Sequence, residues 1–168
     1  MGHLVLVGLP GVGKTTVARA LIGRRHTQAV DTDDLLALAV GTSAAQYLRD
    51  EGESNFRARE LEALRSALDE AGDTVIATGG GIVCTPAARA ALADELTLWL
   101  DCDDEVILAR LGDGDRPLLA ANPVEGLARL RGEREAWYRE VSRVRIDTSA
   151  PLDAVVAHVA VEVDRLTR

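Results

Sequence analysis

Lysine is nearly missing from this 168-residue sequence: of 19 lysines and arginines, only Lys14 is a lysine. Aromatic residues are also scarce, at 3% of the chain, and the formal net charge is −8. Nucleic-acid surfaces need basic patches and often aromatic rings on which bases stack, so we expect no nucleic-acid partner. An anionic small molecule remains compatible with this composition, because a few arginines in a cleft can outweigh the overall charge.

Long apolar runs and cysteines are scarce as well. No segment approaches the roughly 18 consecutive apolar residues of a membrane helix, and we expect neither membrane association nor a signal peptide. Cys84 and Cys102 are the only cysteines and lack metal-ligand spacing, which favours two reduced thiols in the cytoplasm. The length and the hydrophobic content of 47% suit one α/β domain spanning residues 1–168.

The sequence does contain a glycine-rich segment, GLPGVGKT at residues 8–15, which fits the phosphate-binding loop G-x-x-x-x-G-K-[ST] at every fixed position. The apolar run before it predicts a buried strand, and residues 16–24 after it predict a helix. Such a loop turns backbone N–H groups toward a phosphate, and the helix N-terminus adds its positive end. Lys14 would reach the β- and γ-phosphates and the Thr15 hydroxyl would ligate magnesium. A glycine-rich turn that binds nothing is the alternative, which this strand–loop–helix context disfavours.

Carboxylates follow the second predicted strand. Asp31 and Asp33 are two residues apart, so in extended backbone they would face the same way at the ligand-binding edge of a parallel sheet. One could hold magnesium through water while the other faces a substrate hydroxyl. The alternative is an acidic cap, with Asp34 the best candidate, for a helix beginning at Leu35.

Three glycines, Gly79–Gly81, follow the third predicted strand and could let backbone N–H groups approach a ligand. Short apolar runs alternate with helical patterns along the chain, which predicts a parallel sheet with helices on both faces. The five predicted strands cover residues 4–7, 27–31, 74–77, 96–101 and 144–147.

Two arginines have an ordinary explanation as well as a functional one. Arg57 lies in a helix predicted for residues 53–71, where a surface ion pair with Glu60 or Glu53 would account for it. Arg116 lies in a glycine- and proline-containing loop, residues 112–122, of the kind that serves as a lid in phosphoryl-transfer enzymes. Taken alone, each arginine is better explained as a solvated side chain.

The ordered set of motifs resembles that of the shikimate kinases over essentially the whole chain. The resemblance implies a P-loop NTPase fold like that of nucleoside monophosphate kinases, with a core, a substrate-binding segment at about residues 33–61 and a lid at about 112–122. It implies transfer of the γ-phosphoryl group of ATP to the 3-hydroxyl of shikimate, with Mg²⁺, on the route to chorismate and the aromatic amino acids. The set consists of GLPGVGKTT from Gly8, Asp31-Thr32-Asp33, Gly52-Glu53 with Phe56-Arg57 and Glu60, Gly79–Gly81, Arg116-Pro117-Leu118-Leu119, and Arg134 with Tyr138.

The resemblance also implies residue roles. Asp33 would contact the ring hydroxyls and help to activate the one that attacks, while Arg57 and Arg134 hold the carboxylate beside the backbone of Gly79, Gly80 and Gly81. Lys14 and Arg116 would stabilise the transferring phosphoryl group. Thr15 would ligate magnesium, with Asp31 near its water shell. The implied ATP-binding residues are Gly11, Val12, Gly13, Lys14, Thr15, Thr16, Arg110, Arg116 and Pro151.

Two positions depart from the family pattern, and two other functions remain open. Trp137 stands where many members have leucine, and Ala77 where some have a serine that helps to hold a magnesium water, so that Thr78 or water would do this work. A kinase for another small acid, polyol or nucleotide is the nearest alternative. A nucleotide-dependent switch is disfavoured, because the guanine-specifying Asn-Lys-x-Asp run needs a second lysine. We expect a monomer.

Overall fold

The computed structural model describes residues 2–24, 28–111 and 122–168 and contains a five-stranded parallel sheet of order β2-β3-β1-β4-β5. This confirms the predicted fold class. The strand bounds agree with the predicted ones over the described residues, and Thr27 of the predicted second strand lies outside them. The strands are β1 (Leu4–Val7), β2 (Gln28–Asp31), β3 (Thr74–Ala77), β4 (Leu96–Asp101) and β5 (Val144–Asp147).

The strand sequences explain their places in the sheet. All four residues of β1 (LVLV) and of β3 (TVIA) are buried, as expected for central strands covered on both faces. The edge strands β2 (QAVD) and β5 (VRID) carry polar residues and are only partly buried. The apolar core follows from this arrangement, because the central strands contribute to it with every side chain.

Helices cover both faces of this sheet. Helix α1 contacts α7, whereas α4, α5 and α6 lie together, with α3 against α4. A short 3₁₀ helix, Ile82–Cys84, precedes α4. The α-helices are α1 (Lys14–Leu21), α2 (Thr32–Val40), α3 (Ala44–Leu68), α4 (Pro86–Leu92), α5 (Asp104–Leu111), α6 (Pro123–Val141) and α7 (Leu152–Leu166).

Three helix bounds differ from the prediction for identifiable reasons. Helix α1 begins at Lys14 rather than at residue 16, directly after Gly13 with φ 97°. Helix α2 begins at Thr32 rather than at Leu35, because Asp31 and not Asp34 is its N-cap. The predicted helices at residues 44–50 and 53–71 run together as α3, with a break at Gly52 (φ 79°, ψ 169°).

The described helices and cysteines bear on two further expectations. No helix within residues 2–24, 28–111 and 122–168 is long and apolar enough to cross a membrane. Cys84 and Cys102 are both free thiols, and Cys102 is buried.

Candidate active site

The carboxyl ends of the strands open into a cavity of about 470 Å³ that brings the predicted motifs together. Four cations and three carboxylates are among its lining side chains, which gives the cavity a positive balance in a chain of net charge −8. Such a cleft attracts anions despite the overall sign. The charged residues are Lys14, Arg57, Arg110, Arg134, Asp31, Asp33 and Glu60.

The phosphate-binding loop forms one end of this cavity. Gly11 and Gly13 have φ of 83° and 97°, which side-chain-bearing residues rarely adopt. At Gly8 the missing Cβ leaves room for the carbonyl oxygen of Leu100 in β4. The loop therefore turns tightly against the sheet and leads into α1, whose N-terminal residues Lys14, Thr15 and Thr16 line the cavity. This is the geometry in which a helix N-terminus binds an anion.

Lys14 is buried within the loop that it follows. Its ammonium donates hydrogen bonds to the carbonyl oxygens of Gly8 (2.8 Å) and Leu9 (2.9 Å). These contacts fold the side chain back across the loop, so that the charge lies where the loop faces the cavity. A compact charge on a flexible stem can then follow a phosphoryl group.

Asp31 joins the loop to α2. Its Oδ2 accepts a hydrogen bond from the Thr15 hydroxyl (2.5 Å), and its Oδ1 accepts one from the backbone N–H of Asp33 (2.9 Å). The expectation that Asp31 and Asp33 share one face of an extended strand is wrong, because Asp33 lies in the first turn of α2. Both carboxylates nevertheless line the cavity, since the cap turns the chain at its edge.

The oxygens of Thr15 and Asp31 form the part of the cavity suited to magnesium. Within the described residues no group of three or more His, Cys, Asp or Glu side chains could hold a metal ion. Magnesium does not need such a cage, because it keeps several waters and binds through one or two protein oxygens together with phosphates. The donor set therefore fits a magnesium ion that arrives with a nucleotide.

Arg57 and Glu60 form a buried ion pair at the other end of the cavity. Arg57 Nη1 lies 2.8 Å from Glu60 Oε2, and Arg57 Nη2 lies 3.1 Å from Glu53 Oε1. The predicted pairing thus exists, but not on the surface: the two side chains are 12% and 2% exposed, against 49% and 60% for the equivalent pair Arg59–Glu62. Burial makes an ordinary surface role a poor explanation for Arg57.

The environment of Glu60 disfavours its charged form. Burial raises the pKa of Glu60, the charge of Asp33 adds to the shift, and Arg57 and Arg134 oppose it. Two arginines and two carboxylates therefore interact at this end of the cavity. Perturbed groups of this kind in a cleft are typical of functional sites.

Gly79, Gly80 and Gly81 provide space for these side chains. None of the three has a positive φ. A Cβ on Gly79 would lie 2.5 Å from Glu60 Oε1 and 2.8 Å from Asp33 Oδ1, one on Gly80 would lie 2.9 Å from the Pro10 ring, and one on Gly81 would overlap the guanidinium of Arg57. The N–H of Gly79 donates to the Thr32 hydroxyl (3.0 Å), so this donor holds α2 instead of pointing freely into the cavity.

Arg134 reaches the cavity from α6 and is only 2% exposed. Its Nε has no hydrogen-bond partner in the described part of the chain. Tyr138, one turn later, interacts with the Arg134 side chain and donates from its hydroxyl to the carbonyl oxygen of Gly80. Burial raises the pKa of Tyr138, although Arg134 opposes the shift, so the hydroxyl stays protonated and can donate.

The nucleotide-side residues are only partly brought together. Arg110 lines the cavity and donates to the carbonyl oxygens of Val12 (3.4 Å) and Thr148 (2.5 Å), which links the loop to the segment after β5. Pro151 is exposed at the start of α7 and, like Val12, is not among the residues that line the cavity. Arg116 and nearly all of the predicted lid lie outside the described residues.

Thr78, the expected substitute for the serine missing at Ala77, and Trp137 both have defined contacts. The hydroxyl of Thr78 donates to the carbonyl oxygen of Leu6 (3.0 Å), and Thr78 also lines the cavity. The guanidinium of Arg89 lies over the ring of Trp137, 5.0 Å from the ring centroid. Trp137 is not among the residues that line the cavity.

Sequence reasoning missed three contributors to the site. The burial of Glu60, the Thr32 hydroxyl that accepts from Gly79, and the Tyr138 hydroxyl that binds Gly80 all depend on distant elements. Only Glu60 left a local signal, its spacing of three residues from Arg57. Leu48 of α3 and Leu130 of α6 also line the cavity without a motif that marks them.

Comparisons with known proteins identify the family of this chain. The family model described as shikimate kinase matches residues 10–164. Among curated relatives, shikimate kinase from Corynebacterium jeikeium is 37% identical over an alignment of 171 residues, gaps included. The alignment covers 97% of this chain and 91% of the relative. Shikimate kinase from Streptomyces coelicolor is 38% identical over 160 residues, which cover 95% and 93%.

Solved structures show the same likeness in three dimensions. Shikimate kinase from Acinetobacter baumannii in complex with shikimate superposes with a TM-score of 0.89 at 31% identity, covering 98% of this chain and 94% of that one. Shikimate kinase from Aquifex aeolicus superposes with a TM-score of 0.83 at 27% identity, covering 96% of each chain.

Proposed function

The chain belongs to the shikimate kinase family, and we propose which of its residues carry out the family's reaction. The enzyme is an ATP-dependent kinase that transfers the γ-phosphoryl group to the 3-hydroxyl of shikimate, on the route to chorismate and the aromatic amino acids. The observation that carries the residue assignment is the cavity itself. A phosphate-binding loop forms one end, Arg57 and Arg134 form the other, and Asp33 lines the same cavity.

We assign the shikimate carboxylate to Arg57 and Arg134, beside the backbone of Gly79–Gly81. Both guanidiniums are buried and line the same cavity, and each has an Nε without a hydrogen-bond partner in the described part of the chain. A carboxylate ligand would supply the acceptors that these cations lack. Guanidinium forks bind carboxylates in a bidentate fashion, so this end of the cavity fits a carboxylate.

Asp33 is the group that we assign to the acceptor hydroxyls. Its Oδ1 lies close to Gly79 alongside Glu60, while its backbone is tied through Asp31 to Thr15 of the loop. Asp33 thus has a side-chain neighbour in Glu60 and a backbone link, through Asp31, to the phosphate loop. From there the carboxylate would accept the hydrogen bond of the 3-hydroxyl and take up its proton as the oxygen attacks phosphorus.

The donor end would bind the phosphates of ATP through the backbone of Gly11, Val12 and Gly13 and the first turn of α1, including Thr16. Lys14 would follow the γ-phosphoryl group to the acceptor. Thr15 would ligate magnesium and Asp31 would hold one of its waters. When bound, this ion would neutralise charge on the β- and γ-phosphates.

Three further assignments rest on the family resemblance, and of their residues Arg110 is also seen to line the cavity. Arg110 and Pro151 would lie on two sides of the adenine. Arg116, in a lid of residues 112–122, would add a second cation at the transferring phosphoryl group, while residues 33–61 form the substrate-binding segment of a single domain. Arg116→Ala should lower kcat by about 10²- to 10³-fold and leave shikimate affinity within a few-fold, because the contact forms near the transition state.

We also propose that the enzyme works as a cytoplasmic monomer, where ATP is available, without nucleic acid or membrane. Size-exclusion chromatography with light scattering at micromolar concentration checks the oligomeric state, and a stable dimer would contradict the proposal.

A coupled ADP-release assay across several acceptors tests the acceptor assignment. Shikimate should be turned over in strong preference to quinate, gluconate and nucleoside monophosphates. ADP release that does not depend on shikimate, or a preference for another acceptor, would contradict the assigned substrate.

The carboxylate assignment has a matched control on the same helix. Arg57→Ala and Arg134→Ala should each raise the shikimate KM by roughly 10- to 100-fold, since a charge-assisted contact contributes about 1.5–3 kcal/mol. Arg57→Lys should not restore it, because a single ammonium cannot replace a fork. Arg59→Ala removes an equally spaced but exposed pair and should leave the KM unchanged. Equal effects of Arg57→Ala and Arg59→Ala would return Arg57 to a structural role.

A further inference from the structure

Arg131 cross-links α6 to the sheet and to α5, outside the cavity. Its Nη1 donates to both oxygens of Asp101 (2.9 and 3.2 Å), its Nη2 donates to the carbonyl oxygen of Cys102 (2.8 Å), and its Nε donates to Asp104 Oδ1 (2.7 Å). Asp101 ends β4 and is 1% exposed, while Asp104 begins α5. One planar guanidinium on α6 thus binds the end of β4, the residue after it and the start of α5. An exposed and mobile arginine cannot make such a set of contacts.

These contacts fix α6 in a way that its surface ion pairs do not. Arg139 on the same helix pairs with Glu135, one turn away, and is 71% exposed, so it ties α6 only to itself. Hydrogen bonds between charged groups, one of them buried, are stronger than such exposed pairs. Arg131 therefore restrains the helix against the sheet.

Arg134 interacts with the charge of Glu60 across the cavity, and its place there also depends on the position of α6. Its Nε has no partner among the described residues, and Tyr138, with which its side chain interacts, lies on the same helix. Arg131, Arg134 and Tyr138 share one helix face, because residues three and four apart are neighbours. Arg134 thus lies between two anchors, the Arg131 cluster one turn before it and the bond from Tyr138 to Gly80 one turn after it.

We propose that Arg131 is a positioning residue for shikimate, which acts by holding Arg134 at the carboxylate end of the cavity. The inference rests on the proposed role of Arg134 in binding the carboxylate. The nucleotide end should be affected less, because Arg110 has its own hydrogen bonds to Val12 and Thr148. A small displacement of a binding group is enough to weaken its contact.

The test is the steady-state kinetics of Arg131→Met, which keeps the apolar stem and removes the guanidinium. Asp101 keeps a cation in this variant, because Arg145 also pairs with it at 2.7 Å. We expect the shikimate KM to rise roughly 3- to 30-fold, with kcat and the KM for ATP within about twofold of wild type. Arg139→Met is the matched control on the same helix and should change neither KM.

A double-mutant cycle with Arg134→Ala decides whether Arg131 acts through Arg134. If it does, Arg131→Met should raise the shikimate KM in the wild-type background and not in the Arg134→Ala background. Equal increases in both backgrounds, or a parallel rise in the KM for ATP, would overturn the inference while leaving the role of Arg134 intact. An Arg134→Ala variant with an unchanged shikimate KM would overturn that role and this inference together.

A second variant covers the case in which Arg131→Met does not fold. Arg131→Lys keeps a cation near Asp101 but cannot also bridge Asp104 and the Cys102 carbonyl, so it should show a smaller rise in the shikimate KM. It is taken through the same cycle with Arg134→Ala, with thermal unfolding as the check that each variant is folded. A full restoration of the wild-type KM by lysine would overturn the proposal, since charge alone would then suffice.

Discussion

The two ends of the cavity are built from different parts of the polypeptide. At the end that we assign to ATP, called here the nucleotide end, consecutive residues of the phosphate-binding loop supply backbone groups and a single ammonium, that of Lys14. At the shikimate end, side chains from α2, α3 and α6 meet: Asp33, Arg57, Glu60 and Arg134. The phosphate binding that we propose depends on local backbone conformation, whereas the proposed acceptor binding depends on how distant elements pack.

Glycine shows the same contrast. In the phosphate loop, Gly11 and Gly13 are needed for positive φ, and nothing lies within 4 Å of a Cβ on Gly13. At the shikimate end, Gly79 and Gly81 have ordinary backbone angles but no space for a Cβ. Gly13 therefore meets a conformational requirement alone, whereas Gly79 and Gly81 meet a steric requirement alone.

If the two ends act separately, Asp33→Asn should damage only the acceptor chemistry. We expect kcat to fall by about 10²- to 10⁴-fold, because the amide cannot take up the hydroxyl proton. ATP affinity, measured by equilibrium binding, should stay close to wild type. Asp34→Asn, one residue later in the same helix turn and paired only loosely with Arg19 at 3.8 Å, should retain full activity. Wild-type kcat in Asp33→Asn would leave that residue a structural role alone.

Lys14→Met probes the opposite end. The loss of a cation at the transferring phosphoryl group should lower kcat by about 10²- to 10³-fold, while shikimate affinity in the absence of nucleotide stays unchanged. Because Lys14 is the only lysine, an amine-reactive reagent should label it and the N-terminus alone, and MgATP should protect it. Activity that survives complete labelling of Lys14 would contradict its role.

The same contrast explains what the sequence could predict. The phosphate loop, its strand and its helix were predictable because a local motif specifies the backbone. All five strands were also predicted, and apolar runs bounded by polar residues mark β1, β3 and β4. The start of α2 was not, since Asp31, Asp33 and Asp34 can all cap a helix and only the contacts of Asp31 with Thr15 and Asp33 select one.

At the shikimate end, the sequence predicted which residues take part but not how they are buried or which contacts they make. Spacing predicted the partner of Arg57 but not the burial of the pair, because burial depends on Gly81 and on α6, far along the chain. The family resemblance named Arg134 together with Tyr138, but nothing local to them indicated the contact of Arg131 with Asp101 or that of Tyr138 with Gly80.

Gly81→Ala tests the steric use of glycine at the shikimate end. The new Cβ would overlap the Arg57 guanidinium, which is the movable end of a long side chain, so the fold should tolerate the change while Arg57 is displaced. We expect the shikimate KM to rise roughly tenfold, a partial loss of one charge-assisted contact. Gly132→Ala, in α6 with open space around its Cβ, is the control and should leave the KM unchanged.

Gly13→Ala completes that comparison. Its cost should come from the strained φ and should appear in ATP binding and thermal stability, with shikimate affinity unaffected. A Gly81→Ala variant with normal shikimate kinetics, or a Gly13→Ala variant that loses shikimate affinity, would contradict the division between the two ends.

The smallest expected effect comes from the buried carboxylate of Glu60. Because burial raises its pKa above the ordinary value of 4.5, the folded protein keeps a proton there that the unfolded chain has already released. In the pH window between these two pKa values the unfolded state binds fewer protons, so this group lowers the free energy of unfolding as pH rises. The stability that it contributes is complete below the ordinary pKa and lost above the raised one.

Urea unfolding of wild type and Glu60→Gln at a series of pH values from about 4 upward isolates this contribution. The difference in unfolding free energy, wild type minus variant, should decrease as pH rises through the window. Its slope should correspond to a difference of at most about one bound proton between the folded and unfolded states. Glu62→Gln removes an exposed carboxylate from the same helix and should give a difference without that slope. A flat or rising difference for Glu60→Gln would mean that Arg57 and Arg134 outweigh burial. The two arginines would then stabilise the charged form of Glu60 fully. The buried carboxylate would not lower the free energy of unfolding as pH rises.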